Sequence, residues 1–143
     1  MRGYDAGKKV SGRKRHIMVD TQGLLLEVCI TGADWSDRKA SAFLFHDAGQ
    51  RFTRLQTIFA DQGYSGEVPR ILARIFTGAE LTIVPRRQGQ NTFVVLPKRW
   101  IVERTFAWIV RCRRLAKDLE YTISSAKAMV QLAMIRLMLR RLA

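Results

Sequence analysis

Apolar and polar positions alternate with two different periods along the chain, and the switches between them mark out the elements. "HIMVD" (16–20) and "LLLEVCITG" (24–32) are short runs rich in β-branched and aliphatic residues. Turn-forming Thr21-Gln22-Gly23 lies between them, so the pattern predicts a β-hairpin. Over 34–52, Ala40, Phe43 and Leu44 recur at helical spacing, with Ser36 or Asp37 as the cap. "LQTIFADQGYSG" (55–66) reads as a buried strand whose polar end is Asp61. "EVPRILARIFTG" (67–78) is a short amphipathic helix with Pro69 tolerated in its first turn and Gly78 as its stop. "LTIVPRR" (81–87) is a strand broken by Pro85, and "RQGQNTF" is a polar loop. Two helices close the chain: 99–120, and 124–143 capped by Ser124 or Ser125. Residues 1–16, rich in Gly, Lys and Arg, read as a basic loop. The order predicts one mixed α/β domain over 1–143, with helices covering a sheet.

Charge changes the picture most. A formal net charge of +13 implies a polyanionic partner. The bases are spread along the whole chain rather than gathered in one amphipathic arm, which favours nucleic acid over a membrane surface. No apolar run is long enough to span a bilayer, and the N-terminal residues lack the apolar core of a secretory signal. Cys29 and Cys112 lack metal-ligand spacing and read as reduced thiols of a cytoplasmic protein. His16 and His46 are far apart and carry no partner pattern. Trp100 and Trp108 read as core residues, with base stacking as the alternative.

Two acids stand out in this basic background. Asp61 closes a strand-like run and Gly63 follows, so it is either a rigid carboxylate at a strand end or an ordinary turn residue. Glu103 lies just off the apolar arc formed by Ile101, Trp108, Cys112, Leu115, Ala116 and Leu119. Arg99, Ala107, Val110, Arg114 and Lys117 are its neighbours on the wheel. It either complements the helix end and pairs with Arg99, or holds a metal ion. Strand-end and helix carboxylates together are the parts that two-metal phosphoryl transfer requires.

"GKKVSGRKRHIMVDTQGLLLEV", "ADQGYSG", "RWIVERTFAWIVRCRRLAKDLE" and "AMIRLMLRRL" together resemble the catalytic domain of bacterial insertion-sequence transposases of the DDE class, the IS-four/IS-five superfamily. The resemblance implies a ribonuclease H-like fold, a mixed sheet flanked by helices. It implies Mg²⁺ (or Mn²⁺) as cofactor and DNA, both terminal inverted repeats and target, as partner. It makes Asp61 the second catalytic acid and metal ligand and Glu103 the third, and Arg99 fills the pattern's Arg. Leu96 stands where the pattern has Tyr, and Val110 where it has Lys. The family's first Asp lies on a strand upstream of "GKKVSGRKRH", so that strand is expected to be missing here. Asp5 and Asp20 are the early acids, and both read as loop or turn residues. The chain is therefore expected to be part of a transposase, from a truncated or frameshifted gene. The alternative is an inactive nucleic-acid-binding remnant that interferes with active copies. Lys8, Lys9, Arg13, Lys14, Arg15, Arg99, Arg104, Arg111 and Arg114 are the expected DNA contacts. A homo-oligomer, or a complex with a full-length transposase in the bacterial nucleoid, is the expected assembly.

Overall fold

The computed structural model describes residues 2–85 and 98–142, with backbone alone at Arg99. The polar loop expected at 87–93 lies outside them, as does Leu96. The described elements are β1 (Gly3–Asp5), β2 (Val10–Val19), β3 (Leu25–Gly32), α1 (Asp37–Arg51), β4 (Thr57–Ala60), α2 (Glu67–Thr77), β5 (Glu80–Ile83), α3 (Arg99–Arg111) and α4 (Ile123–Leu142). They fall into two compact units, one of residues 1–35 with 101–143 and one of residues 36–100. Helices and strands mix as expected. Among the described residues, however, the strands form two sheets rather than one mixed sheet: antiparallel β1-β2-β3, and a parallel β4-β5 pair.

In the first unit the chain is already in a sheet where a basic loop was expected. Asp5 makes this turn: its Oδ1 accepts from Gly7 N–H (3.0 Å) and Lys8 N–H (3.1 Å). β1 then pairs antiparallel with the start of β2. The β2–β3 register places Arg13 opposite Gly32, Arg15 opposite Ile30 and Ile17 opposite Val28, so these side chains share one face. That face carries the core of Val28, Ile30, Ile109, Leu115, Ala126, Val130 and Met134, with Ile17 packed against it. The basic run therefore hid a strand whose cations point at protein. Asp20 closes the hairpin as the turn reading expects, its Oδ1 accepting from Gln22 N–H and Leu24 N–H at 2.8 Å each.

The helix expected over 99–120 stops at Arg111, and a single 3-10 turn follows at Arg113–Leu115. Beyond it the carbonyls turn outward from the helical pattern and accept from β2: Arg15 donates to Leu115 O (2.8 Å), and Arg13 to Glu120, Tyr121 and Thr122 O. Leu119, placed in the apolar arc by a continuous wheel, is consequently 74% exposed. The cap of α4 also shifts. Thr122 Oγ1 accepts from Ser125 N–H (3.0 Å), and Ser125 Oγ from Thr122 N–H (3.3 Å), a reciprocal capping box.

The second unit follows its sequence signals closely. Ser36 caps α1 through Lys39 N–H. Pro69 is buried in the first turn of α2, and Gly78 ends that helix with φ 71°. β4 is less buried than its apolar run suggests, with only Ile58 fully inside, because the alternate positions Thr57 and Phe59 face out.

Candidate functional site

Asp61 follows the last residue of β4 and caps the 3-10 turn Gln62–Tyr64. Its Oδ1 accepts from Gly63 N–H at 2.9 Å. The strand end and this bond fix the carboxylate, which is exposed. Among the described residues no hydrogen bond or ion pair engages its Oδ2. Thus Asp61 does start the turn, and doing so leaves lone pairs for a ligand. The sequence reading gave Asp37 only a capping role, yet its carboxylate reaches the same turn. A Cβ added at Gly63 would collide with Asp37 Oδ2 and lie 3.0 Å from Asp61 Oδ1. Two acids from α1 and the β4 turn thus flank one glycine. Only the tertiary packing of α1 against this turn brings them together, and no local pattern announces it.

Glu103 stands on the exposed stripe of α3 with Ala107 and Val110, as the wheel predicts. The residues that follow it point the other way. Thr105 is fully buried, and its hydroxyl lies 2.8 Å from Gly23 O and 3.1 Å from Ile101 O, its one proton shared between them or directed at the nearer. Arg104 donates to Gln22 O (2.6 Å), and its guanidinium stacks 4.7 Å from the Trp108 ring. Arg141 covers the same ring at 4.5 Å. Gly23 makes this contact feasible: its φ is 81°, and a Cβ there would sit 2.8 Å from Thr105 Oγ1. The hairpin turn is therefore latched onto α3 immediately beside Glu103. Asp61 belongs to the second unit and Glu103 to the first. Among the described residues, no group of three or more His, Cys, Asp or Glu is gathered closely enough to hold a metal ion.

The expected DNA contacts divide sharply. Arg13 is a clamp: its side chain is 2% exposed, bonds three carbonyls and pairs with Asp118 at 3.5 Å. Arg15 binds Leu115 O, and Lys14 joins Trp35 O (2.8 Å) to Asp5 (3.3 Å). Arg104 is held in the latch. Arg114, expected near Glu103 on a continuous helix, instead pairs with Glu120 at 2.8 Å. That pairing lowers the Glu120 pKa, and the bonds from Lys8 and Gly7 N–H with Lys14 lower that of Asp5. Lys8, Lys9 and Arg111 are exposed. The Arg99 side chain lies outside the described residues. His16, which carries no partner pattern in the sequence, is buried against the Thr31 hydroxyl at 3.0 Å. Sequence reasoning passed over Glu27, a fully buried carboxylate paired with Lys127 at 2.9 Å. No helix among the described residues is long and apolar enough to cross a membrane.

The family model described as "Transposase DDE domain" matches residues 1–138. A Burkholderia cepacia protein provisionally named the transposase for insertion sequence element IS402 is 35% identical over 112 residues, covering 73% of this chain and 52% of that protein. The chain thus spans about half the length of the relative it matches. No solved structure matches it.

Proposed function

The chain belongs to the transposase DDE domain family, and on that premise we propose that it carries part of the metal-dependent active site that cuts and joins DNA at insertion-sequence ends. Its fold in this reading is the ribonuclease H-like sheet of such transposases. The single observation that carries the proposal is the presentation of Glu103. It is exposed on α3, while Arg104 and Thr105, its next neighbours, are anchored to the carbonyls of Gln22 and Gly23. A helix-end charge needs no such latch; a ligand whose position matters does.

Asp61 and Glu103 offer hard carboxylate oxygens from rigid elements, the donor chemistry that Mg²⁺ or Mn²⁺ takes. When bound, such ions activate a water or 3′-hydroxyl and stabilise the leaving oxygen. The chain's own contribution is positional. Gly63 N–H fixes one oxygen of Asp61, and the Thr105–Gly23 latch fixes the turn of helix that bears Glu103. DNA-backbone contact falls to Lys8, Lys9 and Arg111, because Arg13, Lys14, Arg15, Arg104 and Arg114 already serve internal bonds. Arg99 stays with the DNA-contacting set through its place one turn ahead of Glu103.

Calorimetric titration with Mg²⁺ and with Mn²⁺ tests this reading. The native chain should bind, and Asp61→Asn and Glu103→Gln should each weaken binding at least about tenfold, as loss of one charged ligand demands. Equal affinity in all three chains would remove both residues from the site, and no binding to the native chain would leave the DNA-binding remnant as the better reading.

A further inference from the structure

Thr57, Phe59 and Asp61 are exposed, and Ile58 between the first two is buried. This alternation puts the three on the open face of the β4–β5 pair. Glu80, opposite Thr57 in the parallel register, is exposed there as well. Lys98 reaches the same face, its Nζ lying 3.7 Å from the centre of the Phe59 ring. Phe59 precedes Asp61 by two residues, roughly 7 Å along the strand. Lys98, Phe59 and Asp61 all belong to the second unit. Two features of Lys98 do not suit an ordinary helix-start residue. Its φ is 67°, left-handed backbone that a lysine adopts only at a cost. It also stands immediately before α3, where Ser, Thr, Asp or Asn would cap the helix and a cation opposes the helix dipole.

We propose, resting on the active-site reading above, that Lys98 grips a phosphate of the DNA strand held at Asp61, and that Phe59 is the residue that positions it. The backbone outlier points to a job for the ammonium rather than for the helix. Charge on this face says what the job is. Asp61 and Glu80 are both carboxylates, and together they repel a phosphate that approaches the strand end. A cation seated between them and solvent offsets that repulsion. Phe59 is suited to be its seat. A ring face attracts the charge, yet it leaves N–H donors that a carboxylate or carbonyl would consume. Among the described residues no hydrogen bond or ion pair engages Lys98 Nζ. Lys98 thus contrasts with Arg13, whose guanidinium is spent on three carbonyls of its own chain.

Binding of a short mixed-sequence DNA duplex to the full chain, read by fluorescence anisotropy across a salt series, is the test. It is run first with a chelator and then with Mn²⁺. With the chelator, Lys98→Gln should weaken binding about fivefold and lower the salt slope by about one, and Lys98→Arg should restore both. Phe59→Ala changes no charge, yet it should weaken binding about two- to fivefold by unseating the ammonium; Phe59→Tyr keeps the ring and should not. Urea unfolding of each variant separates these effects from loss of folding. With Mn²⁺, the losses from Lys98→Gln and Asp61→Asn should together fall short of their sum, because both residues act on one phosphate. Unchanged affinity and slope in Lys98→Gln overturns the proposal. So does a loss in Lys98→Gln that folded Phe59→Ala does not share, since Lys98 is then one more surface cation. Strictly additive losses with Mn²⁺ bound separate Lys98 from Asp61 and overturn it too. A native chain that binds no Mn²⁺ removes the metal-site reading instead, and the chelator series alone then upholds or overturns the grip of Lys98 on phosphate.

Discussion

Replacing Gly23 with Ala should be among the most damaging single-methyl additions in the first unit, and two other glycines separate its causes. Gly23 combines a left-handed φ of 81° with a Cβ position 2.8 Å from Thr105 Oγ1 and 3.2 Å from both Arg104 Nη2 and Trp108 Cζ3. Gly78 has a similar φ of 71° and open space around its Cβ. Gly12 has open space and no positive φ. Left-handed backbone costs an L-residue about 1–2 kcal/mol. Forcing a methyl into a packed contact costs about 1–3 kcal/mol more. Gly78→Ala should therefore cost about 1–2 kcal/mol and Gly23→Ala about 2–5 kcal/mol. Gly12→Ala should gain about 0.5–1 kcal/mol by stiffening the unfolded chain and the strand. Urea unfolding followed by circular dichroism reads all three, with an unchanged denaturant slope as the condition for comparison. The Gly23 excess over Gly78 is the tightness of the latch. If Gly23→Ala costs no more than Gly78→Ala, the hairpin turn is not held against α3, and the case for a positioned Glu103 falls with it.

Lys127→Ala should destabilise the first unit by about 3–5 kcal/mol, since it removes an ion-pair partner from the buried Glu27 carboxylate. Adding Glu27→Gln should restore much of that loss, and thermal unfolding of the single and double variants checks both. Arg13→Ala should cost about 2–4 kcal/mol through its lost carbonyl bonds and change DNA affinity only as far as folding fails. Lys9→Ala should leave stability alone and lower the salt slope of DNA binding by about one; the reverse outcome would exchange their roles. Acid should loosen the first unit. Asp5 and Glu120 have pKa values held below their ordinary 3.8 and 4.5, so their stabilisation is complete above those values and is lost as pH falls through them toward the depressed ones. Amide exchange of the 5–10 turn and of 113–120 should accelerate there, and Glu120→Gln should abolish the effect at 113–120 alone.

Much of the second unit could be read from short windows because local chemistry determines it. Ser36, Pro69 and Gly78 each satisfy or release a backbone group within four residues, and the structure places all three where the sequence does. Asp61 was legible for the same reason. The first unit was misread where distant partners decide. "GRKRH" reads as a DNA-contacting basic run because its partners, the carbonyls of 115–122, lie about a hundred residues away. The same bonds explain the early end of α3, since chain that stayed helical to 120 could not offer those carbonyls to Arg13. A helical wheel has no means of seeing a competitor for its hydrogen-bond acceptors. It still located Glu103 correctly, because that residue precedes the break.

The clamps also change what the net charge means. Counterion release scales with the phosphates a protein neutralises, not with its formal charge. Five of the nine cations expected at DNA bond to carbonyls, carboxylates or rings of this chain. A guanidinium with three carbonyl partners and 2% exposure has no face left for a phosphate, whatever it adds to a charge count. The bases therefore do two separate jobs. One set ties distant parts of the first unit together, with charged ends on backbone oxygens, carboxylates or a ring. The other set, Lys8, Lys9 and Arg111, stays at the surface. The acid that opens "ERTFAW" follows the same division of labour: Glu103 is turned outward because Arg104 and Thr105, beside it in sequence, are committed inward.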